Sequence, residues 1–120
     1  MSEQEDEPGN FTVRFSQQAQ TDAILITYEM PSTASALSLH REFETVAGKL
    51  AYLPERHAID PDVSAQLGTT IRRIPVRRWN LYYAVFPDSD DGPLVRIVFI
   101  RDARLPLMTQ DEADRIKGNQ

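Results

Sequence analysis

The stretch IRRIPVRRWNLYYAVFPDSDDGPLVRIVFI, residues 71–100, decides the fold. Ile71–Val76 reads as a short strand whose Pro75 cannot donate to a ladder, which puts it at a sheet edge or a bulge. Trp79–Phe86 alternates: Trp79, Leu81, Tyr83 and Val85 share one face, and Asn80, Tyr82, Ala84 and Phe86 share the other. Pro87–Pro93 has the composition of a hairpin loop. Leu94–Ile100 is apolar on both faces except at Arg96, as a central strand should be. The last third of the chain is therefore sheet.

Upstream, Phe11-Thr12-Val13-Arg14-Phe15 alternates as a strand with one buried face. Ser16 is placed to N-cap a helix carrying Ala19, Ala23, Ile26 and Met30, which Pro31 and Ser32 end. A second helix, from about Ser32 to Leu53, sets Ala36, Leu39, Phe43, Val46, Leu50 and Leu53 along one seam. The two helices read as an αα-hairpin. Residues 54–70 lose periodicity and carry Pro54, Pro61 and Gly68, so they are expected to be loop, with Asp60-Pro61 as turn chemistry. Downstream, Thr109-Gln110-Asp111-Glu112 is a capping box for a short polar helix ending near Gly118. The order β-α-α-β-β-β plus a terminal helix predicts an α+β domain, a helical hairpin on a small, mostly antiparallel sheet. The expected organisation is a disordered acidic tail over 1–10, one domain over 11–108, and a short helix and tail over 109–120.

Composition bounds the chemistry. The 120 residues suit a single core. The absence of cysteine excludes a disulfide scaffold, a thiol nucleophile and cysteine-ligated metal, and His40 and His57 are the only histidines. No stretch approaches a membrane span and the N-terminus is acidic, so a cytoplasmic protein is expected. The net charge of −5 is uneven. Residues 1–10 hold Glu3, Glu5, Asp6 and Glu7 with no base, whereas 11–108 carry 11 basic against 11 acidic residues. Within 71–104 seven arginines face four aspartates, a bias suited to planar recognition of phosphate or carboxylate. A neutral body argues against sequence-specific nucleic-acid binding.

In order along the chain, these segments resemble the RelE/ParE superfamily of toxins from type II toxin–antitoxin modules. Val13-Arg14-Phe15-Ser16 with Ala19 and Asp22 is similar to the family's strand into an "S..A..D" helix start. Ala36 through Phe43, Leu50 and Leu53-Pro54 resembles its second helix. Ile71–Val76 with Trp79–Tyr83 looks like its "R-x-hydrophobic … tyrosine" strand pair, and Val95–Arg104 like its last strand with a basic end. The resemblance implies the RelE/ParE toxin fold, a cognate antitoxin as partner, and no cofactor or metal. It also implies one of two activities: ribosome-dependent cleavage of messenger RNA in RelE-like members, or poisoning of DNA gyrase without nuclease chemistry in ParE-like, plasmid-stabilization members.

Cleavage by 2′-hydroxyl attack needs a proton acceptor, a proton donor and cations on the phosphorane. Where many of the nucleases have histidine at the end of the last strand, this sequence has Arg101, a poor proton shuttle. The ParE-like branch is therefore favoured, with gyrase as the implied target. The alternatives are a metal-independent endoribonuclease using Arg72, Arg73, Tyr83 and Arg101, or an inactive partner-binding relative. Tyr83 shares a face with Trp79 and Leu81, so a packed ring with a hydrogen-bonded hydroxyl is the expectation. Arg77 and Arg78 fall in a tight turn, and His40 is expected at the surface. Because the second helix outruns the first, an antitoxin segment is expected to lie along the hairpin at Leu39 and Phe43. It would run on toward an unsatisfied arginine patch at Arg73, Arg101 and Arg104. A homodimer and a toxin–antitoxin hetero-oligomer both stay open.

Overall fold

The computed structural model describes residues 10–120; the expected acidic tail falls, but for Asn10, outside the described residues. The chain runs β1 (Thr12–Phe15), α1 (Gln17–Tyr28), α2 (Thr33–Lys49), a 3₁₀ turn (Pro54–Arg56), α3 (Pro61–Leu67), β2 (Arg72–Val76), β3 (Trp79–Phe86), β4 (Leu94–Asp102) and α4 (Gln110–Gly118). The four strands form one open mixed sheet in the order β1-β4-β3-β2. β1 lies parallel to β4, while β3 is antiparallel to both β4 and β2. The α+β class and the central position of the strand starting at Leu94 are thus observed, as is Pro75 on an edge strand, where its missing N–H costs the ladder nothing.

Both faces of the sheet are covered. On one, α1 and α2 bring Ala19, Ile26, Leu39, Phe43, Ala47 and Leu50 against Trp79, Leu81, Tyr83, Val95, Ile97 and Ile100. On the other, Val63 and Leu67 of α3 and Ala113 and Ile116 of α4 meet Tyr82, Ala84, Val98 and Phe99. Tyr82 and Phe99 stack with centroids 4.3 Å apart. This second layer corrects the expectation that 54–70 is loop. Asp60 caps α3 by accepting from the Val63 amide at 3.0 Å, Pro61 starts it, and Gly68 at φ 73° ends it. A helix of 7 residues is too short for a 3.6-residue period to show in sequence. The second helix also stops short of Leu53. Leu50 is its C-cap, and Leu53 sits exposed with φ 50°, a left-handed backbone that no helix continues through.

One irregularity reconciles the two layers. Tyr82 pairs with Phe99 but Tyr83 pairs with Ile97, so β4 carries a bulge at Val98. Val98 and Phe99 consequently both face α3 and α4, and Ile100 returns to the hairpin side. The backbone groups freed there are satisfied from α1. The Ser16 hydroxyl donates to the Val98 carbonyl at 2.6 Å while its oxygen accepts from the Ala19 amide at 3.0 Å. The Asp22 carboxylate accepts from the Ile100 amide at 3.0 Å. Ser16, Ala19 and Asp22 are therefore one stripe of α1, with the fully buried Ala19 allowing the close approach.

Ser16→Ala removes a cap and strands a buried carbonyl, so it should cost roughly 2–3 kcal/mol in urea unfolding. Ser32→Ala removes the exposed cap of α2 and should cost about 1 kcal/mol. Equal losses would show that the bulge does not depend on Ser16.

Candidate functional site around Arg101

The bulge sets where the basic end of β4 points. With Ile100 on the hairpin side, Arg101 opposes Asn80 and sends its side chain toward α4. Its Nη1 lies 3.2 Å from Glu112 Oε2, and its Nη2 donates to the Pro106 carbonyl at 2.9 Å. Glu112 belongs to the α4 capping box: its Oε1 accepts from the Thr109 amide at 2.9 Å, and the Thr109 hydroxyl accepts from the Glu112 amide. The Thr109 amide bond first, then the Arg101 charge, hold Glu112 below the usual carboxylate range. One carboxylate thus caps a helix and anchors an arginine.

Three shallow clefts meet at Arg101. One, of about 340 Å³, runs past Asp22, Trp79, Asp102 and Leu105. A second, of about 220 Å³, is lined by Asp60, Arg73, Asn80, Tyr82 and Asp102. The third, of about 180 Å³, holds Gln18, Asp22, Glu112 and Arg115. Asp22 lines two of them. Burial pushes its carboxyl up, against the opposing pull of the Ile100 amide, Gln18 and Arg101. Both its oxygens are engaged, since Oδ1 accepts from Gln18 Nε2 at 2.9 Å. Sequence reading passed over Asp22, Glu112 and Asn80 as site residues. The signal for Asp22 was present, because a serine and an aspartate at i and i+6 around a buried alanine mark one helix stripe.

The arginine patch expected to be unsatisfied is internally paired. Arg104 Nη2 lies 2.8 Å from Asp102 Oδ2, Arg78 bridges Asp102 and Glu29 at 3.5 and 3.3 Å, and Arg73 meets Asp60 at 3.5 Å. Arg104 remains 69% exposed along its side chain, whereas Arg101 is only 19% exposed. The turn arginines are tied to the helices: Arg77, at φ 54°, bonds Glu42 at 2.7 Å, and Arg78 lies over the Trp79 ring. Of the residues expected to touch a partner on the hairpin, Leu39 and Phe43 are 0% and 1% exposed, so both are core and present no surface.

The four residues considered for nuclease chemistry do not converge. Arg73 and Arg101 lie on the α3/α4 side. Arg72 and Tyr83 turn the other way, to the 53–57 loop, since neighbouring strand positions leave on opposite faces. Arg72 Nη1 donates to the carbonyls of Glu55 and His57, both at 2.7 Å. The Tyr83 hydroxyl donates to the Pro54 carbonyl at 2.6 Å, and burial pushes its pKa up to about 12. These two side chains brace a loop, as expected of a packed tyrosine. His57 lies edge-on to Tyr83 at 6.3 Å, its pKa lowered by burial and then by the charges of Arg56 and Arg72. His40 is half-exposed on α2, 3.4 Å from Glu44. No group of three His, Asp or Glu side chains among the described residues is arranged to hold a metal ion. No helix among them is long and apolar enough to cross a membrane.

No protein-family profile matches the chain, and no curated protein shows significant similarity to it.

Two carboxylates of the site carry opposite pH signatures. Asp22, raised in the folded state, penalises folding above its folded pKa and sheds that penalty as pH falls toward its unfolded 3.8. Asp102, held at about 2 by its Arg104 hydrogen bonds, contributes stability above 3.8 that is lost as pH falls through 2. On acidification from pH 7 to 4 the parent should gain in urea midpoint relative to Asp22→Asn. Relative to Asp102→Asn it should lose its advantage only between pH 4 and 2. A flat difference between the parent and Asp22→Asn would show that Asp22 is not strained by burial.

Proposed function

We propose that this chain is the toxin of a type II toxin–antitoxin module, of the ParE-like, plasmid-stabilization kind. In this reading it has the RelE/ParE toxin fold, acts in the cytoplasm by binding its target, and is neutralised by a cognate antitoxin. The target that fits this branch is DNA gyrase. Support comes from a β-α-α-α-β-β-β-α order whose first two helices form a hairpin over the sheet, together with the residues that resemble the superfamily.

The separation of the titratable groups from the cations carries the choice between the two activities. Arg73 and Arg101 share the face next to the clefts, but the Tyr83 hydroxyl is turned away and committed to Pro54. A proton relay to a phosphodiester held at Arg101 would need a group there that exchanges protons near neutral pH. Asp22 is the only cleft residue displaced toward that range, and both its oxygens already accept hydrogen bonds. The internal ion pairs make the end of the sheet nearly neutral, which suits a protein surface better than a polyanion.

Induction of the chain in bacteria should arrest growth, and co-expression of the product of an adjacent antitoxin-like reading frame should restore it. The purified protein should inhibit gyrase supercoiling at stoichiometric concentration and leave message on programmed ribosomes intact. Tyr83→Phe should keep the toxicity and lose roughly 1 kcal/mol of stability. Codon-phased cleavage of ribosome-bound message, abolished in Tyr83→Phe, would transfer the chain to the endonuclease branch. Unaffected growth with an intact fold would leave a partner-binding domain only.

A further inference from the structure

The two edges of the sheet are treated differently. The β2 edge is closed: Ile59 bridges Arg72, the Asp60 amide donates to Ile71 at 2.8 Å, the Arg73 amide donates to Ala58 at 3.0 Å, and Pro75 has no N–H. Such covering is how sheets avoid unintended pairing. At β1 the amides of Thr12 and Ser16 point inward, to Pro93 and Ile97, both at 2.9 Å. Alternation therefore sends the amides of Val13 and Phe15 outward. The Phe11 amide reaches Ala51 at 3.3 Å, and Gln20 donates to the Phe15 carbonyl at 3.1 Å. Between these two contacts, no hydrogen bond among the described residues engages the Val13 peptide groups or the Phe15 amide on the outer side of β1.

Beside that edge lies a groove of about 540 Å³, between β1, α1 and α2. Phe15, Ala23 and Ile24 form its apolar wall over the buried Phe43, and Arg14, Gln20, His40 and Glu44 stand along its margin. Ile24 is 56% exposed. The opposite face of the edge carries a charge problem: Arg14 stands in register beside Arg96. Arg96 leans over the Phe86 ring, and neither arginine has an ion pair among the described residues. Adjacent like charges on one sheet face repel, and an acid on the next strand would relieve them.

We propose that this edge receives an extended segment of another protein, adding to the sheet beside β1. Its apolar side chains enter the groove, and its alternating acidic side chains face Arg14. The inference deepens the toxin reading by naming the surface its neutralising partner uses, and it rests on that reading for the partner's existence. Charge selects this occupant over the others. Pairing β1 with a second copy would bring Arg14 against Arg14. The chain's own residues 1–9 supply acids but, besides Pro8, only Met1 to fill an apolar groove.

The probes are the blocked peptides Ac-VEVEV-NH2 and Ac-VKVKV-NH2, titrated into the full chain and followed by amide NMR. The acidic peptide should give saturable shifts at Val13, Phe15, Ala23 and Ile24, with slowed exchange of the Val13 and Phe15 amides. It should bind at least ~10-fold tighter than the basic peptide, and Arg14→Glu should reverse that order. Shifts centred on another surface, equal affinities, or no saturation at millimolar peptide would overturn the proposal. Concentration-dependent dimerisation abolished by Val13→Pro, which removes an outward amide of β1, would assign the edge to a second copy instead. A gain of ~10-fold or more in peptide affinity when Glu3, Glu5, Asp6 and Glu7 are replaced by their amides would assign it to the chain's own N-terminus. The titration reads this surface alone, so its failure leaves growth arrest on induction standing, and the absence of growth arrest leaves the titration valid.

Discussion

The bulge at Val98, held open by Ser16, is the constraint on which the other features depend. A regular strand alternates its side chains, and β4 must fill two cores of different composition with a single run of apolar residues. Inserting one residue puts Val98 and Phe99 together on the α3/α4 face and returns Ile100 to the hairpin face. The cost is a carbonyl and an amide removed from the ladder inside the protein. Ser16 and Asp22 satisfy both while fixing the start of α1 against the middle of the sheet. Helix entry, sheet register and the direction of Arg101 follow from that one junction.

Arg101 illustrates how placement limits chemistry. Its guanidinium is anchored by Glu112 and Pro106, so it is a fixed positive charge in a cleft wall. Arg73, Arg78 and Arg104 near it are each matched by a carboxylate, and Asp102 alone serves two of them. Exposed ion pairs of this kind add little stability. Their larger effect is on the field: a patch that looks cationic in one dimension is nearly neutral in three.

The two sheet edges divide the remaining labour. Closing β2 with the 58–60 segment and a proline protects the side that carries the strained Arg77 turn. Leaving β1 short puts outward backbone groups and a groove with the exposed Ile24 side by side at that edge. In the proposed reading, recognition falls to the β1 edge while the β2 edge stays closed.

Local signals made much of this fold legible in the sequence. Ser16 and Thr109 cap the helices that follow them as their sequence signals say, because a cap depends on residues three positions apart; Ser32, which in sequence marks only a helix break, caps α2 in the same way. The strand at Trp79–Phe86 was visible because a two-residue period needs no distant partner, and the one starting at Leu94 because its apolar run to Ile100 marks a strand buried on both faces. The tertiary structure alone decided what depends on two distant segments at once. Helix α3 is too short to carry a period and exists because its Val63 and Leu67 cover Tyr82 and Phe99. The bulge answers to both packed faces, and only the sheet register shows that Arg72 and Tyr83 leave on one side and Arg73 and Arg101 on the other. The partners of the turn arginines were hidden for the same reason: Arg77 finds Glu42 35 residues away, and Arg78 finds Glu29 49 away, separations over which composition carries no information about contact.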